Sequence, residues 1–242
     1  EKIGSERSDA VLNAQKIGTG NLLSTAQVNR LDMTRHWKIA STDQDITNTK
    51  PSATCPVKRF ADKDPLRVFV RTYTANGLGN ETVAQSIEVS HSDKTAADAY
   101  KRLVQWYSDC QHPRVQLVAA YVVHRPSGNF QILRLRAHST PERTFTVGFS
   151  HSGTVTSTLV HEVDGATGPA ITTFARTLND SVVRVCPDSG GTCTNDITVT
   201  RTEPPPTSTD PAFLGIVDLP PIADIDKVWV GVTPFSAAKN PA

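Results

Sequence analysis

The chain has 242 residues, and 25 Lys and Arg against 24 Asp and Glu leave a formal charge of +1. A protein that grips the phosphate backbone of a nucleic acid carries a basic surface or arm, and neither the sequence pI of about 7.9 nor any Lys/Arg run supplies one. The 38% hydrophobic content, 16 Pro and 14 Gly describe one large domain or two small ones with many irregular connections, and no apolar run reaches the roughly 18 residues of a membrane span. Glu1 opens the sequence with no initiator Met and no charged or apolar leader, so a signal peptide or lipid anchor is expected to have been removed or to lie outside it.

Residues 1–23 lack sustained periodicity and read as an irregular arm. Ser24-Thr25-Ala26-Gln27 is a capping box, in which the Ser24 hydroxyl accepts from the Gln27 amide and the Gln27 side chain reaches back; Val28 and Leu31 continue one face of a short helix. Polar residues from Ser41 to Lys50 predict a loop through Pro51, leading to Cys55. Leu66–Tyr73 and Val83–Ser90 are β-branched and aromatic runs separated by the turn chemistry of Ala75–Asn80, which predicts a hairpin. The period then changes: Ala96, Tyr100, Leu103, Tyr107 and Cys110 form the stripe of a helix that starts after Ser92 or Asp93, ends before His112-Pro113, and places Cys110 on the buried face of its last turn.

Four strands follow in quick succession. Val115–His124 joins Phe130–His138 through Pro126-Ser127-Gly128, and Arg143–Ser150 joins Thr154–Val163 through His151-Ser152-Gly153, an antiparallel meander. Ile171, Phe174, Leu178, Val182 and Val185 mark a second amphipathic helix running into Cys186, and Asp196–Arg201 is a last strand. This order predicts an α+β fold, an antiparallel sheet with helices packed on one face, rather than a doubly wound parallel sheet. The domain is expected to occupy residues 24–202. Residues 203–242 open on Glu203-Pro204-Pro205-Pro206, a semi-rigid linker, and continue into a strap or the start of a further domain with short strands at Phe213–Leu219 and Val228–Val232.

The four cysteines, Cys55, Cys110, Cys186 and Cys193, lack metal-type spacing and allow three pairings. An oxidising compartment suits them, with four reduced thiols in a cytosolic protein as the alternative. The short Cys186–Cys193 loop holds Pro and two Gly and closes without dragging regular structure, which leaves Cys55 to pair with Cys110. A redox site is disfavoured, because Cys110 and Cys186 both fall at predicted helix C-termini, where the dipole raises a thiol pKa.

The run Val83–Ser90 leading into Ala96-Ala97…Leu103…Trp106-Tyr107…Cys110, the meander, the Phe174-Ala175…Leu178 helix and the local Cys186…Cys193 pair together resemble the PknH-like extracellular sensor domain of actinobacterial receptor Ser/Thr kinases and related secreted or lipid-anchored proteins. The resemblance covers roughly residues 20–201. It implies an extracytoplasmic, two-disulfide, single-domain α+β fold with a large cleft between sheet and helices for an unidentified ligand. The chain departs from kinase members in having no kinase domain or membrane span and in carrying the Pro-rich linker and tail, which favours a secreted, anchored or multi-domain protein over direct kinase signalling.

Catalytic motifs are missing from the sequence. There is no Gly-x-Ser-x-Gly, and Ser150-His151-Ser152-Gly153 makes nucleophile and base chain neighbours, a poor geometry for proton transfer. His36, His91, His112, His124, His138, His151 and His161 show no zinc-type spacing, and Gly77-x-Gly79 precedes a strand rather than a helix, so neither a metal nor a phosphate-bearing cofactor is expected. Residues 101–150 hold Lys101, Arg102, Arg114, Arg125, Arg134, Arg136 and Arg143 against Asp109 and Glu142. Arg134 and Arg136 share a strand parity with Phe130 and Ile132, as Arg67 and Arg71 do with Phe69 and Tyr73. If those strands are neighbours, Arg67, Arg71, Tyr73, Arg134 and Arg136 would line a cleft suited to an anionic ligand; otherwise they form a solvated face with Arg stems over apolar surface. Trp106 and Tyr107 are expected to pack in the core or against the disulfide. The functional expectation is a non-enzymatic ligand-binding or sensor domain for a small-molecule or cell-envelope ligand. The alternative is a structural or protein-interaction module of a cell-envelope lipoprotein.

Overall fold

The structure is a computed structural model that describes residues 11–48, 50–51, 53–76, 81–110, 115–165 and 167–207. Arg114, His112, Gly77, Gly79 and the tail strands expected near Phe213 and Val228 lie outside the described residues. Eight strands form one sheet in the order β1-β2-β3-β7-β6-β5-β4-β8, every neighbouring pair antiparallel. They are β1 (His36–Asp43), β2 (Arg67–Asn76), β3 (Glu81–Val89), β4 (Val115–His124), β5 (Phe130–Ala137), β6 (Arg143–Ser152), β7 (Val155–Asp164) and β8 (Thr198–Thr202). The helices are α1 (Thr25–Val28), α2 (Asp93–Ser108), α3 (Ile171–Val183) and α4 (Cys186–Ser189). The α+β class, the β2–β3 hairpin and the β4–β7 meander stand as the sequence predicts.

Ser92 caps α2 by accepting the Thr95 amide, and the capping box at Ser24 opens α1. The helices do not share one face of the sheet. Thr156 Oγ1 donates to the Ala96 carbonyl of α2 at 2.8 Å, whereas the next residue, Ser157, lies with its Oγ 3.4 Å from Ser181 Oγ of α3. Adjacent strand residues point to opposite faces, so α2 and α3 sandwich the sheet. On the α2 side, Leu103 and Tyr107 pack on Leu133, Leu135, Phe145, Val147, Phe149 and Val160. On the α3 side, Phe174, Leu178 and Val182 pack with Leu23, Val28, Trp37, Tyr73, Ile132 and Leu159. The physical reason is visible in the pairs Ile132-Leu133 and Leu159-Val160: consecutive apolar residues bury both faces, and each face needs its own cover. Gly148 lets α3 close down, since a Cβ there would meet Leu178 Cδ2 at 2.7 Å.

Two further corrections concern local structure. His36–Asp43 is an edge strand with only Trp37 buried, not part of a loop. Residues 11–16 are helical and 19–21 form a 3-10 turn, with Ile17, Leu22 and Leu23 buried on the α3 side, so this part of the segment read as an irregular arm is ordered structure.

Both disulfides are formed, Cys55–Cys110 and Cys186–Cys193, each with a Cα separation of 5.5 Å. Their helical settings differ from expectation. Cys110 lies two residues beyond the end of α2 and is half-buried, and Cys186 opens α4 after α3 has ended at Val183. Trp106, half-buried, and Tyr107, fully buried, pack in the same cluster as Cys55 and Cys110.

Candidate functional site

One end of the sheet gathers four chain segments. The β4–β5 turn closes with the Gly128 amide donating to the Arg125 carbonyl, and Gly128 takes φ +124°. The β6–β7 turn reverses at Gly153, with φ +54°. The start of α2 at His91–Lys94 stands beside it, and the Cys186–Cys193 loop docks on it through the Thr154 amide, which donates to the Ser189 carbonyl at 2.9 Å.

Two grooves open here. The first, about 780 Å³, runs between α3 (Arg176, Asn179, Asp180), the end of β4 (His124, Arg125) and the approach to β8 (Asn195–Thr198). It is the opening that answers to a cleft between sheet and helices, displaced from the closed Gly148–Leu178 interface to the β4–β8 edge. The second, about 720 Å³, is walled by His91–Lys94, His151–Thr154 and Ser189–Thr192. Arg125 lines both.

Arg125 is 8% exposed, its guanidinium carbon 4.4 Å from the Phe130 ring centroid, a cation–π contact. Its Nη2 reaches the Thr192 carbonyl only at 3.4 Å, its Nε is buried with no acceptor, and burial pulls its pKa down. In the first groove Asn179, 3% exposed, donates Nδ2 to the Thr194 carbonyl while its Oδ1 is buried without a donor; Arg30 and Asp180 form an ion pair at 2.8 Å. In the second, His151 Nε2 lies 2.9 Å from Asp93 Oδ1 and 2.8 Å from the Gly153 carbonyl. Ser152 points to the other side of the strand, its Oγ 3.4 Å from Ser189 Oγ, so strand alternation keeps this serine and histidine apart. Among the described residues no group of three or more His, Cys, Asp or Glu is arranged to hold a metal ion.

The five residues singled out in sequence share the α3-side face, but β2 and β5 are separated by β3, β7 and β6, roughly 19 Å at four strand spacings. The structure does not bring the two groups together. Arg67 Nη1 donates to the Ala14, Gln15 and Ile17 carbonyls, Arg71 to those of Thr19 and Leu23, and the buried Tyr73 hydroxyl to Leu23 at 2.5 Å. Arg134 donates to the Pro169 carbonyl at 2.5 Å, and Arg136 pairs with Glu142 at 3.6 Å. Four of the five clamp backbone. Arg125 was legible only as one of several basic residues between 101 and 150, because its isolation from carboxylates is created by folding.

No family model matches the sequence, and no curated protein matches it significantly. Among solved structures the chain is similar to the extracellular domain of PknH from Mycobacterium tuberculosis, with 8% identity and a TM-score of 0.47 over 70% of this chain and 93% of that one.

Proposed function

We propose that the chain is an extracytoplasmic ligand-binding domain without catalytic activity, its ligand seated at the Arg125 end of the sheet. The observation that supports this reading best is the pair of grooves, about 780 and 720 Å³, that share Arg125 as a common wall. Each has the size of a small-molecule site, and both lie at the end of a rigid sheet where turns and helix faces meet, the first against α3 and the second among turns. The two disulfides suit a compartment outside the cytoplasm, where such bridges persist. Native mass spectrometry and thermal melting against a library of cell-envelope fragments and metabolites test the reading. A bound species that raises the melting temperature and shifts the amides of Arg125, Ser127 and Gly128 together with those of 176–180 or 189–192 is expected; a library that leaves melting and shifts unchanged overturns it.

The second reading, a structural or protein-interaction module of a cell-envelope lipoprotein, is favoured by the exposed edges of the sheet. β1 buries only Trp37, and β8 buries no residue, so each offers an outer strand to a partner. Capture of an envelope protein through one of these edges, with the grooves silent, decides for it.

A further inference from the structure

Among the described residues Arg125 is a buried cation with no counter-ion. Other arginines drawn inward are better partnered: Arg59 meets Asp43 at 2.6 Å and Arg143 meets Asp164 at 3.0 Å, while Arg102 has a short bond, 2.8 Å, to the Ala61 carbonyl. Arg125, 8% exposed, has Phe130 on one side and a single long contact to the Thr192 carbonyl, and among the described residues no carboxylate lies within ion-pairing distance of it. A desolvated guanidinium with unused donors is costly to hold, and the groups that repay the cost match its planar fork: carboxylate and phosphate oxygens accept two parallel N–H bonds at once. In the same groove the buried Asn179 Oδ1 is an acceptor with no donor. A guanidinium with donors to spare and an unpaired acceptor together suit a ligand that brings an anion and, on the same molecule, a hydroxyl or amine.

We propose that the groove between α3 and the β4–β8 edge binds a hydroxylated anion of the sugar-acid or sugar-phosphate class, its carboxylate or phosphate on Arg125 and a hydroxyl donating to Asn179 Oδ1. This rests on the ligand-binding reading above and supplies its chemistry. The anion completes the coordination that folding leaves open, so ligand-free protein carries an unfavourable charge at this position and bound protein does not.

The test uses glucuronate, glucose 6-phosphate and uncharged glucose as probes, titrated into the full chain with amide NMR shifts and melting temperature as readouts. At least one of the two anions is expected to shift residues 125–128 and 176–180 and raise the melting temperature, and glucose to do neither; which anion binds more tightly separates carboxylate from phosphate. Arg125→Met is expected to weaken that binding about 10- to 100-fold, the loss of hydrogen bonds to a charged group, while the ligand-free variant melts at or above the wild-type temperature. Asn179→Asp, which places a like charge beside the anion, is expected to weaken it as well. Two results overturn the inference: neither anion shifts these residues, or Arg125→Met lowers the ligand-free melting temperature and leaves anion affinity unchanged. Glucose binding in the grooves as tightly as the anions, unaffected by Arg125→Met, overturns the anion class and leaves the ligand-binding reading standing.

Discussion

Gly153 faces the carbonyl oxygen of Ser189 so closely that a Cβ on Gly153 would lie 1.9 Å from it. The contact seats the Cys186–Cys193 loop on the β6–β7 turn and thereby forms a wall of the second groove. Gly153 also has φ +54°, in the left-handed region that glycine tolerates best. Gly153→Ala therefore adds a steric conflict with backbone, which cannot rotate away, to conformational strain. We expect a loss of about 2–4 kcal/mol in urea unfolding, with amide shifts centred on residues 189–192. A loss under about 0.5 kcal/mol would mean that the loop does not rest on this turn.

The two disulfides close loops of very different length, with separations of 55 and 7 residues. In the chain-entropy account, the longer bridge removes more freedom from the unfolded chain, worth about 4 kcal/mol against about 2 kcal/mol for the shorter. The double variant Cys55→Ser/Cys110→Ser should therefore be the less stable of the two in denaturant titration. Cys186→Ser/Cys193→Ser should keep more stability yet accelerate hydrogen exchange at Ser189–Thr192, the wall of the second groove that this bridge holds. Equal stability losses would show that native contacts, not loop closure, dominate.

The meander, the two long helices and the Cys186–Cys193 bridge were legible because their signals are local: strand runs interrupted by Pro-Ser-Gly and His-Ser-Gly, a 3.6-residue stripe after Ser92, and a short cysteine loop rich in Gly; Cys55–Cys110, 55 residues apart, followed only by exclusion. β1 was not, since an edge strand exposed on most of both faces carries no alternation beyond Trp37. The β3–β7 pairing, which fuses hairpin and meander into one sheet, joins segments some seventy residues apart and leaves no mark on either. The same blindness affected the site. Parity groups Arg67, Arg71 and Tyr73 on one strand and Arg134 and Arg136 on another, but strand order decides whether the two groups are near each other.

Arg71 illustrates what those side chains do instead. Its guanidinium donates to the Thr19 carbonyl at 3.1 Å, to the Leu23 carbonyl at 3.3 Å and to Thr42 Oγ1 at 3.0 Å, tying the N-terminal segment and β1 to β2. Arg71→Ala is expected to cost about 1–3 kcal/mol, with hydrogen exchange accelerating at residues 17–23 and 39–43 and no change in ligand affinity at the Arg125 grooves. Weakened ligand binding with unchanged exchange would instead return Arg71 to the binding site.

Glu88 sits on the α2 side, 2% exposed, where it accepts the Ala61 and Asp62 amides and so fastens the Cys55 loop to the sheet. Burial pushes its pKa up from 4.5 to about 7, against the lowering effect of those two amides. Between these values the folded chain holds a proton that the unfolded chain has released, so stability falls as pH rises from about 4.5 to about 7 and levels off above, where both states are ionised. The shift corresponds to about 3 kcal/mol. Urea unfolding of the wild type and Glu88→Gln at pH 5 and pH 8 isolates this contribution, because other titrating groups act on both proteins. The wild type should lose about 2.5 kcal/mol more than the variant between the two conditions, and parallel losses would show that Glu88 titrates in the folded protein as it does in the unfolded chain.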